Sequence, residues 1–395
     1  MSVLIYNRKV MGAKFYSYKE WLHDLEDRIV LFTQVERPDF ASYDHVEVIE
    51  SFDRNGMTEV RTVELDREFA FKRIVPHSEY DLIRAARLRE YFGLPGQNVE
   101  SAVAYRDKVH MKELLRKAGI SVADFRRLES PLDLYLFALD KGFPVIVKPV
   151  DAGGARRIQV LRDMDELKTF LAQGLPQDSM VEKFVEGDMY HADGVVQNGR
   201  LLFSCVSRYV NGCLAFQRLQ SVGSFTLNPQ HHLTERINAL IPGIVDALPY
   251  LPEMAFHAEF FYTKDDEIIV CEIASRTAGG RIMETVEASY GVDIIKTWVR
   301  MQCGLPVEVE PRFRSSVGYL VVPPRAGKLA SIPERTPFPW VIDYKPTVEA
   351  GCLLNNPTTN GDNIAIALVE ADEEVIESRL CEFDEWFNAS VRWAP

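Results

Sequence analysis

Two apolar runs, Ala255-Phe256-His257-Ala258-Glu259-Phe260-Phe261-Tyr262 and Ile268-Ile269-Val270-Cys271-Glu272-Ile273, are joined across Lys264-Asp265-Asp266-Glu267. Rich in β-branched and aromatic residues around a polar turn, they read as an antiparallel hairpin. With Asp265 and Asp266 as the turn residues, Glu259 falls directly opposite Glu272. Opposed residues carry Cβ atoms about 4.5–5.5 Å apart, and like charges there repel. A cation between them relieves that repulsion. The same register sends Ala258, Phe260, Tyr262, Ile269, Cys271 and Ile273 to the other, apolar face, as core burial requires. The alternative, acids pointing to water, sits poorly with strands this apolar.

Hard oxygen ligands at this spacing suit Mg²⁺, which takes one or two carboxylates and completes its shell with water and phosphate oxygens. His257 shares the face of Glu259. Imidazole is a poor magnesium ligand, so it reads as a group that orients substrate or phosphate, or as a satisfied structural histidine. Beyond the second strand, Ala274-Ser275-Arg276-Thr277-Ala278-Gly279-Gly280-Arg281 leads into a helix containing Met283, Val286 and Glu287. A guanidinium just past paired acids suits an oxyanion or a transferring phosphoryl group. The competing expectation is that Arg276 neutralises Glu259 and Glu272 itself.

Working outward towards the N-terminus, Asn198-Gly199 marks a second tight hairpin between Asp193–Gln197 and Arg200–Ser204. Residues 207–225, rich in Gly, Ser and aromatics without clear period, read as a covering or substrate loop. Gly142-Phe143-Pro144-Val145-Ile146-Val147-Lys148-Pro149 is a β-branched strand ending in a lysine, followed by Asp151-Ala152-Gly153-Gly154-Ala155. Such a loop exposes backbone N–H groups to an anion while the lysine supplies charge; alone, it equally describes an ordinary turn with a solvated lysine. Asp107 to Ala118 reads as an amphipathic helix with Val109, Leu114, Leu115 and Ala118 inward and Gly119 as its stop. Lys108 lies in its first turn, where a cation opposes the helix dipole and a nearby phosphate would account for it. A further helix runs from Ser78 through Leu82, Ile83, Ala85, Ala86, Tyr91 and Phe92 to Gly93 and Pro95. The first hundred residues alternate apolar runs such as Ile29–Phe32 and Val46–Ile49 with helical stretches, the pattern of an α/β domain with a parallel sheet.

These residues together, in this order, resemble the ATP-grasp superfamily, particularly its carboxylate–amine ligases. The resemblance rests on Tyr105-Arg106-Asp107-Lys108, Phe143–Pro149 with its glycine loop, Val181-Glu182-Lys183-Phe184-Val185-Glu186-Gly187, His257-Ala258-Glu259 and Glu272-Ile273-Ala274-Ser275-Arg276. It implies an α/β and α+β chain: a Rossmann-like N-terminal domain over 1–104, grasp subdomains over 105–185 and 186–300, and a small C-terminal subdomain over 301–395. It further implies Lys108 and Lys148 on the phosphates of ATP, the Asp151–Ala155 loop with Gly153 and Gly154 closing over them, Glu182 and the backbone of Lys183 and Phe184 at adenine, and Glu186 at the ribose. Glu259 and Glu272 match the Mg²⁺ carboxylates, with Mn²⁺ as a substitute, and Arg276 matches the arginine that holds the acyl phosphate. Glu79 is implied as a substrate contact. The catalytic set is therefore Arg276, His257 and Lys148. Many members carry Asn two residues after the second acid; here Ala274 stands there, so a third ligand is absent or comes from a neighbour such as Ser275.

The implied reaction activates a carboxylate as an acyl phosphate, which an amine then attacks, releasing ADP and phosphate. Phosphoryl transfer of this kind depends on positioning and charge neutralisation and needs no protein nucleophile. Alternatives within the superfamily are activation of bicarbonate or formate, or loading of an amino acid onto a carrier protein. From other classes, a nonenzymatic ATP-binding protein is kept open by Ala274, while a dehydrogenase is disfavoured because no GxGxxG follows an early strand.

Bulk properties agree. A net charge of −13 argues against a nucleic-acid partner, which lysine and arginine would grip by displacing counterions. The six cysteines form no CxxC pair, so neither a zinc site nor a disulfide scaffold is expected. No basic leader and no apolar stretch of spanning length begin or interrupt the chain, making no membrane partner and a cytoplasmic location the expectation. Small-molecule carboxylate and amine substrates, and a homodimer by similarity, complete it.

Overall fold

The computed structural model describes residues 1–7 and 16–394. Its N-terminal layer is a four-stranded parallel sheet in the order His45–Val48, Arg28–Thr33, Ser2–Asn7, Phe71–Pro76. The runs around Ile29 and Val46 are thus parallel strands. Helix Leu82–Phe92 follows and stops at Gly93, whose φ of 67° only glycine adopts readily.

Next comes a small antiparallel sheet, ordered Phe125–Leu128, Ser179–Lys183, Val145–Pro149, Gln159–Leu161. It is preceded by helix Lys108–Lys117, whose N-cap Asp107 accepts from the backbone N–H of Val109 and His110. The inward face differs from expectation. Met111 and Lys112 are buried, whereas Ala118 is exposed. Lys112 is only 1% exposed because an ion pair with Glu182 meets its charge inside the protein.

The largest sheet is eight-stranded and antiparallel, in the order Ile268–Ala274, Glu253–Tyr262, Asp188–Gln197, Arg200–Val210, Val222–Thr226, Ser316–Val322, Ala365–Ala371, Val341–Pro346, and Leu353–Leu354, Gly327–Ser331 and Arg392–Trp393 make a further small one. The largest sheet continues across residue 300, so its last three strands share one sheet with the hairpin. Asn198 and Gly199, with φ of 52° and 74°, make the tight turn their sequence predicts. Residues 207–225 differ from the covering loop expected of them. Strand Arg200–Val210 extends through their start, a short 3₁₀ turn occupies Ala215–Arg218, and Val222–Thr226 returns to the sheet. Cross-strand hydrogen bonds outweigh the weak periodicity of this glycine- and serine-rich stretch.

Helices His232–Ala247 and Glu373–Ser390 pack Ile237, Ile241, Leu380 and Phe383 against one part of this sheet. Met283, Val286 and Trp298, from helices Ile282–Tyr290 and Ile294–Gln302, belong to a second core. Helix Ile294–Gln302 also touches the N-terminal sheet through Val299, which packs with Val3, Ile5 and Leu31. Among the described residues, no helix is long and apolar enough to cross a membrane.

Candidate active site

Glu259 and Glu272 are direct cross-strand partners, as the sequence register requires. The register then shifts. Phe260 pairs with Val270 and Tyr262 with Ile268, so Cys271 is a bulge. The bulge corrects the expected faces: Val270, not Ile269, joins Ala258, Phe260 and Ile273 in the core, and Cys271 lines the cleft with Phe261. Its cause lies outside the hairpin. The Val270 N–H donates to the carbonyl of Ser121, and Val270 bridges to Val122, fixing that residue inward. Burial pushes the Cys271 thiol up to about 12, which makes it an inert part of the wall.

A cavity of about 880 Å³ lies between the small sheet and the hairpin. That is ample for a nucleotide with small substrates, within the range of about 300–1,000 Å³ common for ligand sites. Of the residues named from sequence, Lys108, Lys148, Gly153, Gly154, Glu182, Phe184, His257, Glu259, Glu272 and Arg276 line it. Asp151, Lys183 and Glu186 are not on its wall. The Asp151 carbonyl accepts from Arg106, the Lys183 ammonium caps the carbonyls of Gly142 and Phe143, and Glu186 is exposed.

On the small-sheet side, Lys148 Nζ stands 2.5 Å from Glu182 Oε1, and Lys112 Nζ stands 3.4 Å from Glu182 Oε2. Burial alone would raise the Glu182 carboxyl, but Lys148 and Lys112 hold it down at about 2. Burial would likewise lower the Lys148 ammonium, yet Glu182 carries it well above its ordinary value.

The hairpin side is arranged otherwise. Lys108 Nζ lies 3.1 Å from Glu272 Oε2 and donates to the Ala152 carbonyl at 2.9 Å, tying the glycine loop to the second acid. Glu259 accepts from the Tyr209 hydroxyl at 2.7 Å and sits 3.4 Å from His257 Nε2. These partners overcome burial and hold Glu259 at about 2. His257 is in turn held by Asp193 Oδ1 at 2.9 Å, whose other oxygen meets His191 Nδ1 at 2.5 Å. Burial would lower His257, but Asp193 and Glu259 raise it to about 10. Its second nitrogen faces an acid rather than open space, so it acts through Glu259.

Arg276 does not neutralise the paired acids, as one expectation had it. Its guanidinium binds Glu79, with Nη2 3.0 Å from Oε2, and Arg106 pairs with the other oxygen. Burial raises the Glu79 carboxyl, while Arg276, Arg106 and Lys108 hold it at about 2. A Cβ on Gly153 would lie 2.8 Å from Glu79 Oε2, so this glycine lets the loop approach the cluster. Ser275 points away from the cleft and bonds Gln97 at 2.9 Å, and therefore supplies no third ligand beside Glu259 and Glu272.

Two directly opposed carboxylates, contacted on one side by Lys108 and on the other by Tyr209 and His257, fit a bound divalent cation. Sequence reasoning missed Lys112, Tyr209, Arg106 and the His191–Asp193 pair. Lys112 alone carried a signal, lying one helical turn from Lys108 on the same face.

Residues 105–280 match the ATP-grasp domain family. The L-arginine-specific L-amino acid ligase of Bacillus subtilis is 26% identical over 348 residues, covering 85% of this chain and 83% of that protein. Among solved structures, the L-amino acid ligase of Bacillus licheniformis superposes with a TM-score of 0.78 at 16% identity, covering 100% of this chain and 99% of the other. The biotin carboxylase domain of the Hydrogenobacter thermophilus 2-oxoglutarate carboxylase, solved with MgADP and bicarbonate, gives a TM-score of 0.69 at 19% identity, covering 100% of this chain and 90% of the other.

Proposed function

We propose that this chain, whose residues 105–280 match the ATP-grasp domain family, is a carboxylate–amine ligase that joins the carboxylate of one free amino acid to the amine of a second. The observation that carries the reading is the direct opposition of Glu259 and Glu272 in one cavity with Lys108, Lys148 and Arg276. A carboxylate oxygen attacks the γ-phosphorus of ATP and ADP leaves. The amine nitrogen of the second substrate then attacks the acyl carbon, forming the C–N bond as phosphate departs.

Each residue has a part in this. Lys108 and Lys148 bind phosphate oxygens, Gly153 and Gly154 present the loop backbone to them, and Glu182 and Phe184 edge the adenine. Arg276 grips the reacting carboxylate, for which its planar fork is suited. Glu79, already between two arginines, releases one of them to substrate or itself meets a substrate ammonium. Glu259 and Glu272 would hold Mg²⁺, which would supply positive charge where the phosphoryl group is transferred. His257 orients Glu259. The supply of ATP and amino acids places such an enzyme in the cytoplasm. An amino-acid acceptor is preferred over a carrier protein because the B. subtilis relative, aligned over most of both chains, is named an L-amino acid ligase.

The test is release of ADP and phosphate from Mg-ATP in the presence of pairs of amino acids, with the product identified by mass. Release that requires two amino acids and yields their dipeptide supports the reading. AMP and pyrophosphate as products, or ATP turnover indifferent to amino acids, sinks it.

A further inference from the structure

A second, smaller cavity of about 240 Å³ lies behind the cleft. Ser275 lines it, while the next residue, Arg276, lines the large cavity. Strand Phe71–Pro76, helix Leu82–Phe92 and helix Ile294–Gln302 contribute its walls. It is smaller than typical drug-sized ligand sites of about 300–1,000 Å³, so a guest is small.

Its polar groups are unbalanced. Arg89 is 4% exposed and donates to the Ile74 carbonyl at 2.5 Å, the Gln97 carbonyl at 3.3 Å and Gln302 Oε1 at 3.2 Å. Its Nε has no hydrogen-bond partner, and the buried Nε2 of Gln302 has none either. Arg73 forms neither an ion pair nor a side-chain hydrogen bond with a described residue. Glu253, the single carboxylate on the wall, feels both guanidiniums without touching either; burial raises its pKa and the two arginines oppose the rise. Burial also lowers Arg89 to about 10. A buried cation without a counter-ion is unfavourable, and the guanidinium fork is shaped for carboxylate.

Two arginines against one glutamate leave the wall one positive charge in excess. A guest of net charge −1 cancels it. A guest with two carboxylates and one ammonium also gives Arg73, Arg89 and Glu253 a partner each. Leu82 and Trp298 face its carbon chain. We propose that this cavity binds a free acidic amino acid, at a site separate from the nucleotide cleft. The assignment rests on these residues and stands or falls independently of the ligase reading. Gln97, on the same wall, holds the Ser275 hydroxyl, so a guest sits one residue from Arg276.

Isothermal titration of the whole protein without nucleotide tests this, using L-glutamate, L-aspartate, succinate and L-alanine. At least one acidic amino acid binds saturably, and both Arg73→Gln and Glu253→Gln weaken it by about tenfold or more, the loss of one charge-assisted hydrogen bond. Glu272→Gln, in the cleft, leaves that binding unchanged. Unaltered circular dichroism of the two cavity variants separates lost binding from lost fold. Succinate or L-alanine binding as tightly as the acidic amino acids overturns the assignment. So does binding lost in Glu272→Gln but kept in the cavity variants, and so does the absence of any heat.

Discussion

On the wall formed by Val145–Pro149 and Ser179–Lys183, the buried charges are already matched: one carboxylate, Glu182, sits between Lys148 and Lys112. On the facing wall, two carboxylates oppose each other across the hairpin, and Lys108 reaches only Glu272 while Tyr209 and His257 reach only Glu259. The first arrangement is complete without a ligand; the second leaves negative charge for a cation to meet. Glutamates on the two walls are thus used for opposite ends. Glu182 holds the protein's own lysines in place, whereas Glu259 and Glu272 are kept close despite repulsion.

That difference predicts opposite responses to losing an acid. The largest effect is expected of Glu182→Gln, which strands two buried lysines and costs about 3–5 kcal/mol of stability. Denaturant unfolding measures it, and a loss below about 1 kcal/mol would show that the lysines find water instead. Glu272→Ala comes next. It removes one member of a repelling pair but also the partner of buried Lys108, so the two effects offset and stability shifts by no more than about 1 kcal/mol, while ADP release falls by about a hundredfold or more, the scale of losing one preorganised charge stabiliser. An unfolded Glu272→Ala protein, or one retaining full turnover, would erase the contrast between the walls.

Acid titrates both walls at once. Glu79, Glu182 and Glu259 sit at about 2 against an ordinary 4.5. Between those values the unfolded chain binds more protons than the folded one, so the stabilisation is complete above 4.5 and is lost as pH falls towards 2. Denaturation midpoints measured between about pH 7 and about pH 3 should fall in the wild type. In Glu182→Gln the fall is shallower, because one depressed carboxyl has gone. Equal slopes in the two proteins would mean that Glu182 is not held ionised by its lysines.

Much of this geometry was legible beforehand, and the exceptions share a cause. Strand period with a turn at Asp265 and Asp266 gives the opposition of Glu259 and Glu272, yet Tyr262 pairs with Ile268 and the Cys271 bulge is what brings the two acids level; Lys148 follows from a β-branched strand running into a glycine loop, a local pattern. The bulge at Cys271 is not one, because it depends on Val270 pairing with Ser121 and Val122, about 150 residues away in sequence. Lys112 shares a helix face with Lys108, but only Glu182, on a strand of the next sheet, makes its burial favourable. Arg276 lines the cleft, but its pairing with Glu79 has no trace in the sequence, since Glu79 enters from the N-terminal layer. Side chains that bridge layers leave no periodic trace in either layer.

Tyr209 is such a bridge, and it sets the smallest of these effects. It comes from strand Arg200–Val210, and its hydroxyl donates to Glu259 at 2.7 Å. Burial, with the charge of Glu259, raises it well above its ordinary value, so it stays protonated and acts as a donor to the acid. Tyr209→Phe deletes that donor but keeps the ring packed 4.7 Å from His191. Stability then falls by about 1 kcal/mol, the net worth of one hydrogen bond. Glu259 still has His257 but is free to turn, so the magnesium concentration for half-maximal ADP release rises by about tenfold, as expected when a partner that orients a ligand is removed. Turnover at saturating magnesium stays near wild type, because the hydroxyl is committed to Glu259. An unchanged magnesium requirement would make Tyr209 a packing residue and leave His257 alone in fixing the first acid, whereas a loss that saturating magnesium does not restore would place the hydroxyl on the substrate side of the open wall.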